Sequence, residues 1–163
     1  MIATRKIVGI VATAAMCGGA MLASPAADAT SGSTSFRLPG GDTWQVNAWH
    51  CGTYWDKCSW TSSTKLLGSN PANAVSISNR AELEAHGGSL SITLSKHPSA
   101  TITFTSSSLG KVTWTNTRTW ISDNSGVMDP SWSTAWVSTR SCGWGRVNSS
   151  ILVSTKCAYA GAF

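Results

Sequence analysis

SLSITLSKHPSATITFTSSSLGKVTWTNTRTWI, residues 89–121, alternates apolar and hydroxyl side chains almost without a break. A period of two is the mark of a strand with one buried face. Leu90, Ile92 and Leu94 form the first apolar row. Ile102 and Phe104 oppose Thr101, Thr103 and Thr105. Val112, Trp114 and Trp120 oppose Thr113, Thr115, Thr117 and Thr119. The breaks fall at Lys96-His97-Pro98-Ser99 and at a serine-rich stretch ending in Gly110, both of which carry turn chemistry. The segment therefore predicts a three-strand antiparallel meander.

The same pattern extends to both sides. In 44–50, Trp44, Val46 and Ala48 share one face and Gln45, Asn47 and Trp49 the other. Val75 and Ile77 mark a strand over 73–78. Residues 134–140 set Ala135 and Val137 against Trp136 and Arg140. Residues 147–157 turn Val147, Ile151, Val153 and Cys157 inward. Asn79–His86 alone reads as helical, between a Ser78 cap and Gly87-Gly88. Many short strands with turns between them predict an all-β fold. The expected architecture is an antiparallel sandwich or small barrel of seven or eight strands, with at most one short helix.

Residues 1–29 read as a secretory signal. Arg5 and Lys6 are its charged start, Ile7–Ala15 its apolar run and Ala27-Asp28-Ala29 its cleavage pattern. Residues 30–35 are expected to be a flexible lead-in, and 36–163 a single β domain. Four cysteines follow the signal: Cys51, Cys58, Cys142 and Cys157. In an exported chain that number argues for two disulfides. Three pairings are open, and closeness in sequence favours Cys51–Cys58 with Cys142–Cys157. The spacings do not suit zinc.

Without Arg5, Lys6 and Asp28, the twelve basic and seven acidic residues become ten and six, a net of +4. The basic residues are scattered singly, so no nucleic-acid patch or stable membrane insertion is expected. His50, His86 and His97 show no metal-ligand spacing, and no cofactor motif is present. Six dispersed acids make a small secreted hydrolase a minor alternative.

The surplus is in tryptophan. Nine occur in two clusters, 44–60 and 114–144. A small core takes only a few, and the rest favour contact surfaces. Alternation assigns Trp44, Trp114 and Trp120 to the core. Trp60 and Trp144 flank cysteines and would pack on disulfides or lie open. Trp49, Trp55, Trp132 and Trp136 are the candidate contact set. Tyr54 joins it in the loop that Cys51–Cys58 would close, and Arg140 accompanies Trp136. Arg118 shares the face of Trp114 and Trp120, so it either stacks on them or marks an irregularity. The expectation is a secreted, non-enzymatic binding module for an extracellular protein: an adaptor, a subunit or an inhibitor of a secreted enzyme. A carbohydrate- or cell-wall-glycan-binding module is the alternative. A row of exposed tryptophans on one sheet face would favour glycan, and a single patch would favour protein.

The stretch Gly40-Gly41-Asp42-Thr43-Trp44-Gln45 resembles the opening of secreted bacteriocins of the lactococcin type. The resemblance covers six residues. It implies an antibacterial setting and assigns no residue a role.

Overall fold

The computed structural model describes residues 30–52, 56–68 and 73–161. Their strands are β1 (Ser31–Arg37), β2 (Thr43–His50), β3 (Cys58–Leu67), β4 (Ala74–His86), β5 (Leu90–Leu94), β6 (Thr101–Phe104), β7 (Leu109–Thr119), β8 (Ile121–Pro130), β9 (Trp136–Arg146) and β10 (Leu152–Gly161). Two antiparallel sheets form a sandwich. Sheet A has the order β1-β2-β3-β8-β5, and sheet B the order β10-β9-β4-β7-β6. The all-β sandwich and both disulfides, Cys51–Cys58 and Cys142–Cys157, match the sequence reading. The signal peptide lies outside the described residues.

Three local expectations are corrected. Asn79–His86 is not a helix. It is the second half of β4, which lies in the middle of sheet B between β7 and β9. Its side chains alternate: Ala81, Leu83 and Ala85 are buried, while Arg80, Glu82, Glu84 and His86 turn outward. Alanine, glutamate and leucine favour helix, but pairing on both sides overrides that preference. Residues 30–35 are not a loose lead-in. Ser31–Arg37 forms edge strand β1, in register with β2 from Ser31 opposite Trp49 to Arg37 opposite Thr43. The segment 89–121 is not one meander. β6 and β7 pair as a hairpin, but β5 belongs to the other sheet, against β8. Alternation reports which face of a strand is buried. It does not report which of two facing sheets the strand joins, because both bury a face in the same core.

The core has two halves, each holding one fully buried tryptophan. Trp44 packs with Val46, Leu66, Ile77 and Val153. Trp60 packs with Cys58, Leu83, Val112 and Met128. A polar layer separates the halves. Along β3 the inward residues run Trp60, Ser62, Thr64, Leu66, and along β4 they run Ile77, Asn79, Ala81. Asn79 sits at the layer's centre. Its Oδ1 accepts from Ser62 Oγ and, at 3.2 Å, from Asn124 Nδ2. Its Nδ2 donates to Thr64 Oγ1 at 2.9 Å and Ser141 Oγ at 3.0 Å. All four hydrogen-bonding positions of the amide are thus filled by buried partners from β3, β8 and β9. Opposite Asn79 on β9 lies Gly143, where a Cβ would overlap Thr64.

Candidate functional site

Strand register gathers Trp49, Trp132 and Trp136 at one end of the sandwich. β2 stops at His50, opposite Trp60, and β3 starts at Cys58, opposite Met128. β8 stops at Pro130, opposite Leu90. β4 stops at His86, opposite Trp136, the first residue of β9. The Cys51–Cys58 bridge and the 131–135 connection therefore lie at the same end.

Trp132 sits in that connection and is 92% exposed. Its turn is fastened on both sides. Thr134 N donates to Ser131 O at 3.0 Å, and Ala135 N to His86 O at 2.8 Å. Ser131 N donates to Ser89 O at 2.9 Å, and Ser89 N to Ser131 Oγ at 2.9 Å. Gly87, at φ 90°, lets the β4–β5 connection bend close against this turn. An exposed indole on a held turn loses little conformational freedom on contact.

Trp49 and Trp136 flank this turn on opposite sides of the molecule. Trp49, 39% exposed, lies on the outer face of sheet A between Ser31 and Thr61. Trp136 lies on the outer face of sheet B, half-buried, its ring stacked 3.4 Å from His86 at 7°. Tyr54 and Trp55 lie outside the described residues, as does the rest of segment 53–55.

Other sequence candidates lie elsewhere. Arg140 is exposed in mid-strand on the outer face of sheet B, 3.5 Å from Glu82 and across from Tyr159. Arg118 lies near the opposite end, in the left-handed region at φ 52°. It breaks the alternation of β7 without inserting a residue, since the pairing with β4 keeps one register on either side. That break corrects the core assignment of Trp120, which is 43% exposed. Trp114 is half-buried and stacked on His97, with ring centres 4.4 Å apart. Trp60 is core, whereas Trp144 is half-buried on the outer face of sheet B, with the Arg80 guanidinium 5.8 Å from its ring centre.

Sequence reasoning missed a polar concavity of about 300 Å³ on the outer face of sheet A. Thr61, Ser63 and Lys65 of β3, Asp123 and Ser125 of β8, and Lys96 beyond β5 line it. No local signal marks it, because its walls come from three separated segments.

His50 is fully buried beside the bridged segment, with Nδ1 2.7 Å from the Cys51 carbonyl oxygen. A carbonyl needs a donor, so the neutral ring carries its proton on Nδ1. Burial holds the His50 pKa below its usual value, against the opposing effect of its backbone hydrogen bonds. An unfolded chain binds a proton near pH 6.5 that the folded chain refuses, so this group favours unfolding as pH falls below about 6.5. Urea melts at pH 7.5 and 5.5 are expected to show a smaller acid-induced loss of stability for His50→Gln than for the parent. Equal losses would remove His50 as the cause.

Among the described residues, no group of three or more His, Cys, Asp or Glu side chains is placed to hold a metal ion. Among them, no helix is long and apolar enough to cross a membrane. The two disulfides suit an oxidising compartment. No protein-family model matches the chain, and no curated protein does so either. Among solved structures, a collagen-binding domain from a Staphylococcus aureus adhesin matches with 12% identity over 81% of this chain and 95% of that one, at a TM-score of 0.41. A likeness at that level transfers no ligand and no residue role.

Proposed function

We propose that this protein is an exported binding module that contacts a protein partner through the sandwich end carrying Trp132. The observation that carries the reading is the exposure of Trp132 on a turn held by hydrogen bonds from two strand connections. Rigid aromatic anchors of this kind dominate protein contacts. The arrangement of the flanking tryptophans supports protein over glycan here. Trp49 and Trp136 lie on the outer faces of different sheets, stacked about 10 Å apart. One sugar chain cannot stack along both, whereas a concave protein surface that caps the end reaches both. The Cys51–Cys58 bridge lies at the same end, and adaptor, subunit and inhibitor roles all fit that surface.

The test is capture from the producer's culture fluid on immobilised mature protein, with the parent and Trp132→Ala side by side. Trp132 contributes nothing to the core, so the variant keeps the fold. A partner retained by the parent and bound roughly 30-fold more weakly by the variant is the expected result. A partner retained equally by both would overturn the reading, as would capture of insoluble wall glycan alone.

A further inference from the structure

The concavity on sheet A is chemically unlike the tryptophan end. We infer that it is a second ligand site, for a short saccharide that carries a carboxylate. Its floor is a lattice of hydroxyls. By register, Thr61 pairs with Ser125 and Ser63 with Asp123, so these side chains share the outer face as adjacent rows. Lys65 stands in the next row, across from Ile121. Hydroxyl side chains both donate and accept, which suits a polyhydroxylated ligand better than an apolar one.

The charges define what else the ligand must carry. Lys96 is ion-paired to Asp123, and His97 Nε2 lies 3.7 Å from the other carboxylate oxygen. Asp123 is therefore already balanced by Lys96. Lys65 has no ion pair among the described residues and leaves the concavity with an unbalanced positive charge. An ammonium at the edge of a hydroxyl floor favours an anionic group on an otherwise neutral, hydroxyl-rich ligand.

The loop that supplies Lys96 is independently unusual. His97 is one of two non-glycine residues with positive φ among the described residues, at 52°. Its ring stacks on Trp114, 4.4 Å away at 11°, and its carbonyl accepts from Ala100 N at 2.8 Å. Ser95 N donates to Ser125 O at 2.9 Å, joining this loop to the wall of the concavity. A strained residue held by stacking and hydrogen bonds marks a position where the chain's course is imposed by more than local preference. Here that course sets Lys96 over Asp123. Trp49 is the cross-strand neighbour of Thr61, so the two surfaces adjoin while their polar and aromatic centres remain distinct.

The probes are tetragalacturonate, neutral maltotetraose and inorganic phosphate, titrated into the mature protein with amide chemical shifts recorded by NMR. Tetragalacturonate is expected to shift amides of β3, β8 and residues 95–97, and to bind about tenfold more weakly to Lys65→Ala. Trp132→Ala is expected to bind tetragalacturonate as the parent does, while Lys65→Ala is expected to keep the protein partner, so each site fails separately. Equal binding of maltotetraose would overturn the role of the carboxylate. Phosphate that displaces tetragalacturonate at equal concentration would overturn the saccharide, leaving a simple anion site. Absence of shifts with all three probes, or Lys65→Ala binding as tightly as the parent, would overturn the proposal entirely.

Discussion

Replacing Asn79 with alanine is expected to lower the unfolding free energy by about 4 kcal/mol. Among the described residues, no other buried side chain has as many buried side-chain hydrogen-bond partners. Its amide reaches Ser62 and Thr64 of β3, Asn124 of β8 and Ser141 of β9, all of them buried. Truncation removes the shared partner and leaves several donors and acceptors away from water. Each such orphan costs roughly 1–3 kcal/mol, softened by contacts that survive. Ser62 Oγ and Ser141 Oγ remain 2.8 Å apart and keep each other company. Urea denaturation measures the loss, with exposed Thr117→Ala as a control expected to stay within about 0.5 kcal/mol of the parent. A cost for Asn79→Ala near that of the control would mean that the layer is wet or rearranges. Asn79→Leu with Ser62→Ala and Ser141→Ala is expected to recover part of the loss, because paired polar groups and a packed apolar patch are closer in energy than a half-empty network.

Breaking the Cys142–Cys157 bridge with two alanines is expected to cost about 3 kcal/mol, the loop-closure value for a separation of 15 residues. The bridge joins directly opposed residues of β9 and β10, near the irregular step between Val153 and Lys156. β10 is an edge strand, yet it places Val153, Ala158 and Ala160 in the interior and packs beneath β1. Gly32 of β1 approaches the Tyr159 backbone too closely to admit a side chain. Without the bridge, β10 should open before the rest. Amide exchange in 152–161 is expected to accelerate well beyond that of β4, which is paired on both sides. The Cys51–Cys58 bridge spans only 7 residues, and its removal is expected to cost less, about 2.4 kcal/mol. A larger loss at Cys51–Cys58, or uniform exchange across β10 and β4, would count against this account.

Sequence periodicity described faces well and partners poorly. The inward rows of β2 and the inward positions of β5 and β7 were readable, because a strand half in water must alternate. The same rule was present in Arg80-Ala81-Glu82-Leu83-Glu84-Ala85-His86, but its residues also favour helix, and seven residues do not separate two periods. β1 carries serine on both sides of Thr34, so little in its composition announces a strand. Its pairing with β2 and its packing on β10 supply the reason it forms. At the candidate contact end, Trp132 and Trp49 were accessible to reasoning from alternation and turns. The misreading of Trp120 goes with the left-handed backbone at Arg118, where a charged residue on an apolar face marked an irregularity but not its effect on the next residues.

The chain's own pattern therefore determined an all-β antiparallel fold and the inward place of Trp44, Val46, Leu90, Val112 and Val137. Local forces suffice for that: a pleat alternates its faces, and cysteines close in sequence meet across a hairpin. Only the tertiary structure decided which sheet each strand joined, that Asn79 would centre a buried polar layer, and that Trp132 would stand at the same end as Trp49 and Trp136. The concavity of Lys65, Lys96 and Asp123 belongs to that second class as well. Each of these joins residues from strands far apart in the chain, and such neighbours are chosen by packing two sheets over a common core rather than by any preference of the segment itself.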